Sequence, residues 1–252
     1  MQIDRDGVSI HYEVTGSGPT ILLSHGFGAT AGMWEPQLEV LGAGHQVVTW
    51  DMRGHGQSDS PADQGLYSEE ATVADMAAIL DAVGASKAVI GGLSLGGYMS
   101  LAFNVAHPDR VTALLLFDTG PGYRSDEPRD KWNRMAHRSA ANLEEKGLDA
   151  LGASSEVLGA RHRDPMGLAR AARGMLAQRE ARIIDSLPGI SGPTLVLVGE
   201  QDTGYLTATD YMASRIPGAV KVTIPGAGHA ANLDRPEEFN RAVLDFLGTL
   251  PG

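Results

Sequence analysis

At 252 residues with 42% hydrophobic side chains, the chain has enough apolar material for a sizeable single core. Its formal net charge of −11 argues against nucleic acid or an anionic membrane surface as partner, and the absence of cysteine excludes disulfides, a thiolate nucleophile and Cys-based metal sites. The Met1–Gly7 stretch has no apolar signal-peptide region and no window approaches a transmembrane span, so a cytoplasmic protein is expected.

Along the chain, residues 8–14 alternate apolar and polar side chains behind Asp6-Gly7, which predicts a strand entered from a hairpin turn. Short apolar runs at 20–24, 46–50, 87–91, 112–117, 194–198 and 220–224 are mostly continuous, as expected of parallel strands buried on both faces. Helical spacing is clearest over 70–83 (Ala71, Ala74, Ala78, Ile79, Ala82, Val83) and over 236–247, opened by Pro236, Glu237 and Glu238. Alternating strands and helices predict an α/β sheet covered on both faces. Residues 121–188 break the alternation. They are rich in Arg, Ala and Glu and predict helices near 128–146, 148–158 and 166–184, an inserted helical cap between core segments 1–120 and 189–252.

The stretch Gly92-Leu93-Ser94-Leu95-Gly96-Gly97 follows the strand-like Ala88–Gly91 and precedes a helix-compatible run. Gly-x-Ser-x-Gly at a strand-to-helix bend is a nucleophile elbow. Small residues at 92 and 96 allow the strand and helix to approach, and the serine oxygen then stands clear of the sheet.

Such a serine needs a base, and the base needs an orienting carboxylate. His229 lies in a loop of small residues, Gly226-Ala227-Gly228-His229-Ala230, between the last strand and the last helix. That is where open α/β sheets place their sites. His25 and His55 also sit in Gly-rich loops, where they read as loop braces. For the acid, Asp202 follows the strand at 194–198, with Glu200 and Asp118 as rivals. The order Ser94, Asp202, His229 favours Asp202. Backbone donors for an oxyanion are expected from Leu95, at the start of the helix after the elbow, and from Phe27 in His25-Gly26-Phe27-Gly28.

Together with Asp51-Met52-Arg53-Gly54-His55-Gly56 and Gly199-Glu200-Gln201-Asp202, these motifs resemble the α/β-hydrolase superfamily over nearly the whole chain outside the insert. Within it, the short helical cap is similar to the serine esterase and 3-oxoadipate enol-lactonase-like group. The resemblance implies a mostly parallel eight-stranded sheet flanked by helices, with a small cap. It also implies hydrolysis of a small-molecule ester or lactone through an acyl-enzyme on Ser94, with no metal or organic cofactor. Serine rather than aspartate at the elbow speaks against dehalogenase and epoxide-hydrolase chemistry. Other readings are a carbon–carbon bond hydrolase of ring-fission products, a cofactor-free perhydrolase, and a triad-retaining small-ligand receptor.

Trp34, Met33, Tyr98, Tyr123, Trp132, Met135 and Tyr205 are candidates to line the substrate pocket. An arginine of the cap facing that pocket, from among Arg124, Arg129, Arg134 and Arg138, would favour a carboxylate-bearing lactone; solvated helix charge is the plainer expectation.

Overall fold

The computed structural model describes residues 1–250; Pro251 and Gly252, the end of the second expected core segment, lie outside them. Eight strands form one sheet: β1 (Gln2–Arg5), β2 (Val8–Thr15), β3 (Thr20–Ser24), β4 (Gln46–Trp50), β5 (Ala88–Leu93), β6 (Val111–Phe117), β7 (Thr194–Gly199) and β8 (Val220–Ile224). Their order is β1-β2-β4-β3-β5-β6-β7-β8. β2 runs antiparallel to both β1 and β4, and every pairing from β4 to β8 is parallel. The turn at Asp6-Gly7 joins β1 to β2, a strand pair of which the alternating pattern marked only the second member.

Among the described residues ten α-helices accompany the sheet: α1 (Glu35–Gly42), α2 (Glu69–Ala82), α3 (Leu95–Ala106), α4 (Asp126–Lys146), α5 (Ser155–Leu158), α6 (Pro165–Ala171), α7 (Arg182–Ser186), α8 (Leu206–Arg215), α9 (Ala231–Asp234) and α10 (Pro236–Leu247). Ser68 caps α2, its Oγ accepting the Ala71 N–H at 3.1 Å, a contact of about 1 kcal/mol. The period-2 geometry of the strands sorts their apolar runs onto two faces. Leu22, Val48, Ile90, Leu114, Leu116 and Val196 pack with residues of α2, α3 and α8. Ile21, Leu23, Val47, Val89, Leu115, Leu195 and Leu197 pack with residues of α1 and α10 on the other side. The central strands therefore need uninterrupted hydrophobics, whereas β8, at the sheet edge, keeps most of its residues exposed or half-buried.

Between β6 and β7 the chain is helical but less regular than its periodicity predicts. α4 is one long helix that ends at Gly147, in line with the expected 128–146. The expected helix at 148–158 is instead a 3₁₀ turn over Gly147–Leu151 and the single turn α5, separated by Gly152. The expected 166–184 helix splits into α6, a π-helical turn over Ala172–Leu176, a stretch without regular structure and α7. The interruption has a use: Gln178 lies in the irregular stretch, where the Asn133 side chain holds both its N–H (2.8 Å) and its carbonyl (2.7 Å). Among the described residues no helix is long and apolar enough to cross a membrane.

Candidate active site

β5 runs into α3 through Ser94, which has φ +54 and ψ −114. A non-glycine residue in this region costs about 1–3 kcal/mol, a strain that surrounding structure must hold. The hold is steric. A Cβ on Gly92 would lie 2.4 Å from the Gly96 carbonyl carbon, and one on Gly96 would lie 2.1 Å from the Ser24 carbonyl oxygen. Only glycine permits β3, β5 and α3 to meet this closely. The Ser94 carbonyl accepts from Thr119 Oγ1 at 2.6 Å, and its N–H donates to the Phe117 carbonyl at 3.0 Å. Ser94 is half-buried between buried neighbours, in the lining of a cavity.

His229 and Asp202 come from the loops after β8 and β7. Those loops are tied together: Gly226 N–H donates to Glu200 Oε2 at 3.0 Å, and Gln201 N–H donates to the Ala227 carbonyl at 2.8 Å. His229 Nδ1–H donates to Asp202 Oδ2 at 2.7 Å, which leaves Nε2 as the acceptor. Burial alone would depress the imidazole pKa; the Asp202 hydrogen bond and the charges of Glu156 and Asp202 outweigh it and raise the pKa above the ordinary histidine value. The Tyr205 ring stacks on the imidazole at 4.9 Å. Burial pushes the Tyr205 phenol up to about 12, against a hydrogen-bonding influence from Ser94.

The three candidate acids take three separate partners. Glu200 braces Gly226. Asp118, at φ +44 and fully buried, accepts the Gly199 N–H through Oδ1 at 2.7 Å, while its Oδ2 has no partner among the described residues. Among the described residues only Asp202 hydrogen-bonds His229. Ligand-capable atoms of Asp118, Asp202 and His229 lie within 4.8 Å of one another, the one such trio among the described residues. A metal ion on Nδ1 would have to displace the proton that His229 holds against Asp202, so the donor set suits an oriented imidazole better than a cation.

The loop after β3 approaches Ser94 closely: a Cβ on Gly26 would lie 3.6 Å from Ser94 Cβ. Neither the Phe27 N–H nor the Leu95 N–H has an acceptor among the described residues. Leu95 opens α3, so its N–H has no intrahelical acceptor. The Gly26 carbonyl, in the same peptide group as the Phe27 N–H, accepts from His25 Nδ1–H at 2.7 Å and from the Ala29 N–H at 3.1 Å. His25 Nε2 in turn accepts the Met52 N–H at 3.0 Å. Burial drives the His25 pKa down to about 4, partly opposed by the charge of Asp51, so the ring is neutral and serves as a brace. Asp51 organises the neighbouring loop by accepting the N–H groups of Ala31 and Gln57, each at 2.8 Å.

Ser94 opens onto a cavity of about 240 Å³. Tyr98, Tyr123, Trp132 and Tyr205 line it, as do Leu95, Thr119, Leu176 and Gln178, of which sequence reasoning singled out only Leu95. Three expected pocket residues are elsewhere. Trp34 is fully buried on the α1/α10 side of the sheet, its ring 6.0 Å from Phe117 and 6.5 Å from Phe239, and Met33 shares that core. The turn at 31–34 faces α10, so its aromatic serves packing. Met135 lies on the outer side of α4, 40% exposed. None of the four candidate arginines lines the cavity: Arg124 pairs with Asp185 and Arg129 with Asp126, while Arg134 and Arg138 are exposed. Two further residues of the insertion reach the site without any local signal. Glu156 acts on the His229 charge, and His162 bonds the Gly28 carbonyl.

The chain matches the profile of the alpha/beta hydrolase family over residues 21–242. It is 28% identical to 3-oxoadipate enol-lactonase 1 of Acinetobacter baylyi, over 99% of this chain and 97% of that one. It is 31% identical to a Variovorax paradoxus protein provisionally named a carbamate hydrolase, over 94% of this chain and 96% of that one. A thermophilic esterase from Thermogutta terrifontis superposes with a TM-score of 0.82 at 31% identity, covering 98% of both chains.

Proposed function

We propose, for a chain that belongs to the alpha/beta hydrolase family and has its fold, that it cleaves small uncharged carboxylic esters or lactones through an acyl-enzyme on Ser94. Its relatives include hydrolases of small molecules, an enol-lactonase and an esterase among them. The finer reading is carried by one arrangement: an elbow serine followed by the free Leu95 N–H and closely approached by the Gly26-Phe27 loop, with an imidazole whose tautomer a carboxylate fixes stacked on Tyr205 of the same cavity.

In this mechanism the Ser94 oxygen attacks the substrate carbonyl carbon as its proton passes to His229 Nε2. The carbonyl oxygen becomes an oxyanion and accepts the N–H groups of Phe27 and Leu95, which are in place before charge develops. Asp202 holds Nδ1–H and offsets the imidazolium charge. The tetrahedral adduct collapses, the ester bond breaks, and the departing oxygen takes the proton from His229. Water then gives a proton to His229 and attacks the acyl carbon, and Ser94 leaves with that proton. With no metal or organic cofactor in these steps, only the small-molecule substrate and water are consumed.

Two features support a short, neutral substrate. An engineered cavity of about 150 Å³ takes a benzene molecule, so about 240 Å³ accommodates a ring and a few further atoms. The cavity is lined by aromatic, aliphatic and neutral polar side chains without Arg or Lys, and an unpaired carboxylate would lose its hydration without compensation. This separates the chain from an oxoadipate-type substrate, whatever its likeness to an enol-lactonase. The helical insertion at 121–188 acts as a cap that supplies Tyr123, Trp132, Leu176 and Gln178 to the cavity. The test is a rate series over p-nitrophenyl esters of increasing acyl length and over neutral and carboxylate-bearing lactones. The expected maximum is at short acyl chains, with neutral lactones at least about tenfold faster than charged ones. A maximum at long chains, or a preference for the charged lactone, contradicts the reading.

A further inference from the structure

We infer that His162, on the helical insertion, is a positioning residue for the oxyanion loop: it holds the Gly28 carbonyl and thereby keeps the Phe27 N–H aimed at the oxygen that develops charge over Ser94. The inference rests on the ester-hydrolase reading above.

Gly28 is gripped through both of its peptide groups. Its N–H donates to His55 Nε2 at 3.2 Å, and its carbonyl accepts from His162 Nε2–H at 2.9 Å. His162 Nδ1 accepts the Gly56 N–H at 3.1 Å, so one imidazole joins the insertion to two loops of the core. The two bonds require a neutral ring with the proton on Nε2. Burial lowers the His162 pKa and maintains that form, although the Gly28 bond and the Asp51 charge oppose it. His55 packs edge-on against the ring with centroids 5.7 Å apart, and His55 in turn lies 4.8 Å from His25.

Gly28 is where such a hold is needed. Its φ of +77 is a conformation open to glycine, and a residue without a side chain cannot anchor itself. A Cβ there would lie 2.9 Å from Leu151 Cδ2 of the insertion, so the insertion sits directly on this turn. The Phe27 ring also packs against the insertion cluster of Ala140, Leu143, Leu168, Ala169 and Ala172. His25 fixes the Gly26 end of the loop from the core, and His162 fixes the Gly28 end from the insertion. Phe27 lies between them. An oxyanion donor acts through prior placement, and a displacement of about 1 Å in a catalytic geometry can cost on the order of 10²-fold in rate.

Three substitutions separate the two bonds. In His162→Gln the amide nitrogen reaches the place of Nε2 and can still donate to Gly28. In His162→Asn the shorter side chain reaches only the place of Nδ1 and can still accept from Gly56. His162→Phe keeps the ring and neither bond. With p-nitrophenyl acetate, the Asn and Phe variants are expected to lose kcat by roughly 10- to 100-fold with KM changed by less than about threefold, while Gln stays within about threefold of wild type. Affinity for a phenylboronic acid, which forms a tetrahedral adduct on serine, should fall in step with kcat/KM. Melting temperatures of the Gln and Asn variants give the comparison for a merely structural role. Equal kcat in Gln and Asn, or wild-type kcat in Phe, overturns the inference, as does a loss of kcat that follows melting temperature alone. Ser94→Ala measured alongside keeps the cases apart: if it stays active, the hydrolase reading fails; if it is inactive and the His162 series is flat, only the His162 role fails.

Discussion

Asp118 and Asp202 converge on one imidazole, yet only Asp202 is bonded to it, at 2.7 Å from Nδ1. Asp118 spends its one hydrogen bond on the Gly199 N–H, across the β6–β7 junction. Asp202→Asn should therefore remove the control of the His229 tautomer and lower kcat by about 10⁴-fold, the scale of the equivalent change in other triads. Asp118→Asn, which keeps an oxygen for Gly199, should cost less than about tenfold. Steady-state ester hydrolysis of both variants decides; a crippling Asp118→Asn beside a mild Asp202→Asn would move the acid to the earlier strand.

Asp118 should also mark the stability profile. Burial raises its carboxyl to about 8 in the folded chain, against about 4 when unfolded. The folded state then holds a proton that the unfolded chain has given up. That contribution is complete below about pH 4 and is lost as pH rises through about 8. Urea unfolding at several pH values should show wild type losing stability over this window relative to Asp118→Asn. Parallel profiles for the two proteins contradict the assignment.

Glu156 offers a probe of the base proposed at His229. Its charge is one of the influences that raise the His229 pKa, and its Oε2 is buried without a partner. Removing that charge makes the imidazolium less favourable and lowers the His229 pKa. In the proposed mechanism the neutral imidazole is the active form, so Glu156→Gln should carry kcat/KM to lower pH, moving the acid limb downward. An unmoved or upward-moved limb rules out the coupling.

The sheet was the most legible part of the sequence. Uninterrupted apolar runs such as Leu195–Val198 have no other stable place than a strand covered on both faces. The elbow was legible because Gly92 and Gly96 are forced by the close approach of β3, β5 and α3 around Ser94. The insertion was not, because helical periodicity does not register the break at Gly152 or the clamp of Asn133 on Gln178, whose partners are 45 residues apart. Trp34 reads as a pocket residue because an aromatic in a helical turn carries no mark of which sheet face it meets; α10, about 200 residues later, decides that. His162 carries no local signal for the same reason, since Gly28 and Gly56 lie 134 and 106 residues away.

Trp34→Ala should accordingly behave as a core truncation. The expected cost is about 3–5 kcal/mol of stability, read by urea unfolding, with KM for a short ester unchanged at a temperature where the variant is folded. A large KM change with little loss of stability would return Trp34 to the pocket.

An acyl-enzyme on Ser94 is tested directly by the rate of p-nitrophenyl acetate hydrolysis by purified wild type and Ser94→Ala. Only one oxygen is removed, so the fold should survive, and the rate should fall on the order of 10⁴-fold or more. Retention of more than about a tenth of the wild-type rate would contradict the account, because a group whose loss costs so little is not the nucleophile.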